Sequence, residues 1–200
     1  MKKTYGNYLL FFLLLTVFQV GYAQVGNGGA LYSSLEPSES RSATLMSNLI
    51  SSTREMRFAN SEMMKALGLD DAAVKAMADA ELLTQDSTPG TIQQSLNARL
   101  GEGALISRKL GDAKTQLTES QKQQFIAATA SMWRAFDKMR SFGENLPDTK
   151  RHLQAAGDAG KRNLLAARLL PQFLKDARAD IDVITSFART NQIPLPFETQ

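Results

Sequence analysis

The residue types that perform most enzyme chemistry are scarce in this sequence. Its 200 residues include one histidine, His152, and no cysteine. His152 follows Lys150 and Arg151 in a basic stretch that is typical of a protein surface, whereas a catalytic histidine needs a group that orients it. No serine lies in a nucleophile-elbow pattern, and one histidine cannot supply the paired motifs of a di-metal bundle. We therefore predict no catalytic residue, no cofactor, no metal and no enzyme activity.

A group of carboxylates near the C-terminus is the only candidate for a hard-cation site. Asp176 and Asp180 are one helical turn apart, and Asp182 lies close to them in the sequence. The simpler interpretation is an ordinary polar face that Lys175, Arg178 and solvent neutralise, because no calcium-binding loop is present. The sequence therefore favours a polar face over a metal site.

The first 23 residues have the layout of a secretory signal peptide. A Met-Lys-Lys start is followed by an apolar run over residues 9–18, and Gly21 and Ala23 provide a small-x-small cleavage site. The apolar run is too short for a permanent membrane span, although a retained N-terminal membrane helix is the alternative. We expect a mature chain that begins at Gln24 and is soluble in the periplasm or secreted beyond it.

The net charge of the chain bears on whether it binds nucleic acid. The formal net charge of +3 includes Lys2 and Lys3, which lie in the segment that we expect to be removed. The mature chain is thus close to neutral, so the sequence gives no support for nucleic-acid binding. An acidic stretch (70–86) and a basic stretch (134–178) are better explained by helices that pack side by side than by binding patches.

The pattern of apolar residues predicts an all-α fold. No segment alternates with the period of a strand, and several long segments have the period of a helix. Four parts follow from the composition: a signal peptide (1–23), a flexible leader (24–36), a helical bundle domain (37–190) and an extended tail (191–200). The domain is predicted to be an antiparallel bundle of about four to six helices, two or three of them long.

The first two helices have clear boundary signals. The first should begin around residues 37–40 and end at Gly68, which can take the left-handed conformation of a C-cap. Asp70 is the expected N-cap of a second helix that reaches Leu83.

The later helices are less uniform. A third is predicted over 91–100, and Gly101 and Gly103 should separate it from a short segment over 104–110. A long helix should begin at Thr118 and end at Gly143, and a short one is expected over 149–156. The last, over 161–190, contains Pro171, so it should either kink or start anew there.

Two side-chain patterns bear on the core and the surface. Met56, Met63, Met132 and Met139 lie on inward stripes and should fill the core, although an adaptable Met-rich surface for varied clients is the alternative. Phe58 lies about 200° around the helix from Met56, so it points away from that stripe. Either the short second helix covers Phe58, or Phe58 belongs to an interface.

The C-terminal tail is the second candidate contact surface. Two prolines hold residues 193–197 extended, and Ile193, Leu195 and Phe197 provide three apolar side chains. The tail either packs back onto the bundle, reaches a partner or is an idle terminus. We take Phe58 together with these three residues as the candidate protein interface, and a partner-binding tail predicts that its deletion leaves thermal stability nearly unchanged.

A short motif supplies one resemblance. Residues 117–121 (Leu-Thr-Glu-Ser-Gln) fit the Leu-Thr-x-x-Gln pattern of the Spy/CpxP-type periplasmic stress proteins, which typically carry it twice. The chain is similar to that family also in its export signal, its helical pattern and its lack of cysteine. The resemblance implies a dimeric helical chaperone or sensor. A capping box between Thr118 and Gln121 accounts for the same residues.

These observations favour a binding function. We predict an exported, non-enzymatic helical protein that acts through protein–protein contacts, as a subunit or accessory factor of an envelope or secretion assembly. The alternative is a periplasmic client-binding chaperone or stress sensor. The expected partner is a protein whose identity the sequence does not specify, with no nucleic acid and no small-molecule substrate inferred, and self-association into a homo-oligomer is compatible with the pattern.

Overall fold

Helices make up nearly all of the chain that the structure describes, and no strand occurs in that part. The computed structural model describes residues 38–144 and 157–197, with side chains described from 45 to 144 and from 160 to 197. Its five helices are α1 (Ser38–Ala66), α2 (Asp70–Glu81), α3 (Pro89–Leu110), α4 (Glu119–Glu144) and α5 (Gly157–Thr190). The prediction of an all-α bundle of about four to six helices, two or three of them long, is confirmed.

Some predictions concern residues outside these ranges. They are the signal peptide (1–23), the leader (24–36), His152 and the short helix over 149–156. These stay predictions from the sequence.

The first helix, α1, is the central element of the bundle. It contacts each of the other four helices, most extensively α4 and α2. The predicted stripe with Met56 and Met63 is buried, and residues farther around the helix, such as Ile50 and Ser61, are buried as well. The buried face of α1 is therefore wider than a single stripe, and the opposite side, which carries Glu55, stays open to solvent.

The turn between α1 and α2 is built around Gly68. Its φ of +71° lies in the left-handed region, which confirms the predicted C-cap. The predicted N-cap of α2 is wrong, because Leu69 takes that position and makes no side-chain capping bond. Asp70 lies instead in the first turn with Asp71, where negative charge favours a helix N-terminus.

The third helix, α3, continues through Gly101 and Gly103, which corrects the prediction of two separate segments. Close packing explains the glycine at 103, because a Cβ at this position would collide with the Asp180 carboxylate of α5. The inward face passes through Arg99, which is buried, whereas the next residue, Leu100, is 39% exposed. The side of α3 that faces inward is therefore determined by its contacts with Asp180 of α5.

The fourth helix begins at the predicted capping box. The Gln121 amide donates to Thr118 Oγ1 at 3.3 Å, and the Thr118 amide donates to Gln121 Oε1 at 2.9 Å. The helix extends one residue beyond the predicted end at Gly143. A Cβ at Gly143 would collide with the Leu174 side chain of α5, so this glycine also serves close packing.

Pro171 lies inside α5, which is helical on both sides of it. The alternative of a new helix start at Pro171 is therefore wrong. The proline ring is exposed, while Leu170 and Phe173 on the opposite side of the helix are buried. The helix also begins four residues before the expected residue 161.

The methionines of the predicted stripes fill the core. Met56, Met63, Met132 and Met139 have no exposed surface. The core-filling interpretation is confirmed for these four residues, and they form no adaptable surface.

Phe136 provides a direct test of the α4 register. It is buried, and its ring centre lies 5.7 Å from that of the half-buried Trp133. Phe136→Ala should lower the free energy of unfolding by about 3–5 kcal/mol, because it removes a large core side chain. Urea denaturation followed by the fluorescence of the single tryptophan measures this loss. Gln123→Ala, on the exposed face of α4, should change it by less than about 0.5 kcal/mol. A loss below about 1 kcal/mol for Phe136→Ala would contradict the observed register.

Candidate functional site

A network of charged and polar side chains joins α1, α2 and α3 inside the bundle. Arg57 of α1 donates from Nε to Glu102 Oε1 of α3 at 2.8 Å, and Asn60 Nδ2 donates to Glu102 Oε2 at 3.0 Å. Arg57 also donates to Ser95 Oγ at 3.3 Å and lies 3.6 Å from Asp79 Oδ2 of α2. The side chains of Arg57 and Glu102 are only 2% and 8% exposed. This ion pair is therefore part of the core.

A second buried arginine joins α3 to α5. Arg99 Nη1 donates to Asp180 Oδ2 at 2.8 Å, and Nη2 lies 3.8 Å from Asp176 Oδ2. The guanidinium also lies over the Phe173 ring, 5.4 Å from its centre, which is a cation–π contact. Arg99 Nε has no hydrogen-bond partner among the described residues. We call the side chains around Arg57 and Arg99 the buried charge network.

Two of the three carboxylates that were candidates for a cation site, Asp176 and Asp180, belong to this network. Asp180 faces Arg99, which precedes it by 81 residues, and Asp182 pairs with Arg178, with 2.9 Å between Oδ1 and Nε. In the described ranges, no group of three or more His, Cys, Asp or Glu side chains is placed to hold a metal ion. The expectation that Lys175 and Arg178 neutralise the whole group is wrong for Asp180.

Burial changes the proton affinity of both carboxyl groups that face the arginines. Desolvation raises the pKa of Asp180 to about 6, although the positive charge of Arg99 acts in the opposite direction. Desolvation also raises the pKa of Glu102, against the hydrogen bonds from Arg57 and Asn60. Charge is therefore costly at both positions despite the paired cations.

Phe58 lies in an open groove between α1 and α4. The groove has a volume of about 580 Å³, and Ala59, Ala127 and Ala128 line its apolar surface with Phe58. Phe58 is half-buried, and the guanidinium of Arg54 lies 5.3 Å from the centre of its ring. No residue of α2 lines this groove, so the second helix does not close it over Phe58. An interface role for Phe58 stays a prediction.

The two sides of the groove carry opposite charges. Glu55 and Glu62 line it from α1, whereas Arg134 and Lys138 line it from α4. Glu55 and Lys138 approach each other, with 3.7 Å between Oε1 and Nζ. Arg134 is exposed and donates to Ser131 Oγ at 2.9 Å, but it forms no ion pair with any residue that the structure describes.

The C-terminal tail packs back onto the bundle. Ile193 and Leu195 are 4% and 3% exposed and belong to the core. Phe197 is half-buried and stacks on Trp133, with 4.8 Å between ring centres and 10° between ring planes. The surfaces that Ile193 and Leu195 would offer to a partner are therefore covered by the chain itself. Of the four predicted interface residues, Phe58 and Phe197 keep substantial exposed surface.

Sequence reasoning missed the buried charge network. Arg57, Arg99 and Glu102 received no role, because each has its main partners on another helix. One signal was present, since Arg99 lies in the same inward register as Leu96 and Ile106. A charged residue at an inward helical position requires a buried partner, so this register could have identified it.

Comparison with protein-family models, with curated proteins and with solved structures gives no match to this chain. Within residues 38–144 and 157–197, no helix combines the length and the apolar character that a membrane span needs.

Proposed function

We propose that this chain is an exported, non-enzymatic helical protein that binds another protein through the groove between α1 and α4. The observation that carries the proposal is Phe58, a half-buried aromatic residue on an apolar surface between two charged sides. Protein interfaces commonly place an aromatic residue at the centre and polar residues at the rim. Together with the signal-peptide layout of residues 1–23, this supports a subunit or accessory factor of an envelope or secretion assembly.

The occupant that fits this groove is an amphipathic helix of the partner protein. Two packed helices with alanines at Ala59, Ala127 and Ala128 leave a shallow apolar channel in which a third helix can lie. Arg134 at the edge of this channel has no ion-pair partner in the described part of the chain. The matching helix is therefore expected to carry a carboxylate beside its apolar stripe, which would pair with Arg134.

The variant Ala127→Arg tests this proposal. Ala127 is exposed and lines the groove, so an arginine fills the channel without entering the core. Ala104→Arg is the matched control, because Ala104 is an exposed alanine on α3 outside the groove. The wild type and Ala104→Arg should capture the same partner from the native envelope, and Ala127→Arg should lose it. With the purified partner, Ala127→Arg should raise Kd by at least roughly tenfold in isothermal titration calorimetry.

Both variants must be folded for this comparison, so circular dichroism should show the same helix content and thermal midpoint for each. Equal affinity of Ala127→Arg and Ala104→Arg for the partner would contradict the groove as the binding surface.

The alternative of a client-binding chaperone or stress sensor has weaker structural support. In the sequence, this alternative was supported by the methionine content and by the motif at residues 117–121. In the structure, however, the stripe methionines lie in the core and the motif forms a helix cap. Suppression of aggregation of an unfolded client separates the two functions. Suppression that Ala127→Arg abolishes would favour the chaperone, and its absence in the wild type would favour a specific partner.

A further inference from the structure

We propose that the contact between α3 and α5 at Arg99 and Asp180 is a proton-binding site that makes this packing more stable in mildly acidic than in neutral solution. The inference is independent of the groove between α1 and α4. It rests on how tightly Asp180 is enclosed and on an excess of carboxylates around it.

Asp180 is confined between the α3 backbone and a buried cation. Its side chain is 15% exposed, and that of its partner Arg99 is 1% exposed. On the other side, the carboxylate lies so close to Gly103 that a Cβ there would displace the Asp180 side chain. The carboxylate thus has little contact with water, and Arg99 supplies its main compensation.

Carboxylates outnumber cations in the buried charge network. Asp180 is influenced by Arg99 and Glu102 of α3 and by Asp176 of α5. Farther along the network, Glu102 pairs with Arg57 of α1, which also lies near Asp79 of α2, and Asp79 pairs with the exposed Lys75. No ion pair of this network among the described residues involves α4. Four carboxylates therefore share two buried arginines and one surface lysine, and the network carries excess negative charge at neutral pH.

One proton on Asp180 removes this excess. Burial raises the pKa of Asp180 from its ordinary value of 3.8 to about 6, and the negative charges of Asp176 and Glu102 act in the same direction. Protonated Asp180 still has an oxygen that accepts from Arg99, so the contact between the helices persists. Because the folded chain binds this proton more tightly than the unfolded chain, the added stability is complete below about pH 4. It is lost as the pH rises through about 6.

Urea denaturation across this pH range tests the proposal. The folding equilibrium constant of the wild type should be about tenfold larger at about pH 5 than at about pH 7.5. Asp180→Asn, which mimics the protonated side chain, should remove most of this difference. Asp182→Asn, an exposed position on the same helix, should leave it unchanged.

A direct titration keeps the proposal testable if Asp180→Asn does not fold. In carboxyl-carbon NMR of the wild type, Asp180 should titrate near pH 6, well above its ordinary value of 3.8. Titration of Asp180 near its ordinary value, or a full pH dependence in a folded Asp180→Asn variant, would overturn the proposal.

Discussion

Replacing Arg57 with alanine should lower the free energy of unfolding by about 3–5 kcal/mol. Arg57 neutralises Glu102 at a place where both side chains are almost fully buried. The variant leaves the Glu102 carboxylate in the core with a hydrogen bond from Asn60 and without its closest cation. Urea denaturation followed by circular dichroism at neutral pH measures the loss.

Two further variants identify the cause of that loss. Lys65→Ala removes a cation from the same helix, but the Lys65–Glu62 pair is far more exposed than Arg57 and Glu102, so the change should stay below about 1 kcal/mol. Adding Glu102→Gln to Arg57→Ala removes the stranded charge and should recover part of the lost stability. A loss below about 1 kcal/mol for Arg57→Ala would mean that this ion pair adds little to the folded state.

Deleting residues 193–200 should lower the thermal unfolding midpoint by roughly 10 °C. Ile193 and Leu195 are core residues, and burial of an aliphatic side chain contributes about 1.5–3 kcal/mol. In a chain of this size, each kcal/mol lost shifts the midpoint by about 2–4 °C. The tail reaches these positions through a reversal after α5 at Gln192, whose φ is +54°. The result expected from the structure is thus the opposite of the one that a partner-binding tail predicts.

Paired serine variants separate the two faces of the tail. Ile193→Ser combined with Leu195→Ser should reproduce most of the loss, because it removes the buried side chains. Pro194→Ser combined with Pro196→Ser alters only exposed positions and should have a much smaller effect. An unchanged midpoint after deletion, together with weaker partner capture, would restore the tail as a binding segment.

The sequence predicts those parts of the fold that depend on nearby residues. The C-cap at Gly68 and the capping box at Thr118 are local signals, and both are observed. The period of the apolar residues also places α1 and α4 correctly. The two glycines of α3 mislead, because Gly103 is required by the Asp180 side chain of a helix much later in the chain.

The same distinction applies to the candidate sites. The angle of Phe58 on α1 places it off the main stripe, and the structure has it in a surface groove. Arg57 and Arg99 could not be paired with Glu102 and Asp180 from spacing alone, because those partners lie on other helices. Spacing along a helix gives the direction of a side chain, whereas the identity of its neighbour depends on how the helices assemble.

The central position of α1 also affects the order in which the chain can fold. The helix is synthesised before every helix that buries it, and the hydrogen bond from the Met46 amide to Asn163 spans 117 residues. Contacts of such long sequence separation form slowly, and until they form the apolar faces of α1 stay exposed and prone to aggregation. Because α1 packs most extensively on α4 and α2, we expect it to gain its main neighbours only after α4 has left the ribosome. Its contact with α5 then completes the burial of a helix that was made first.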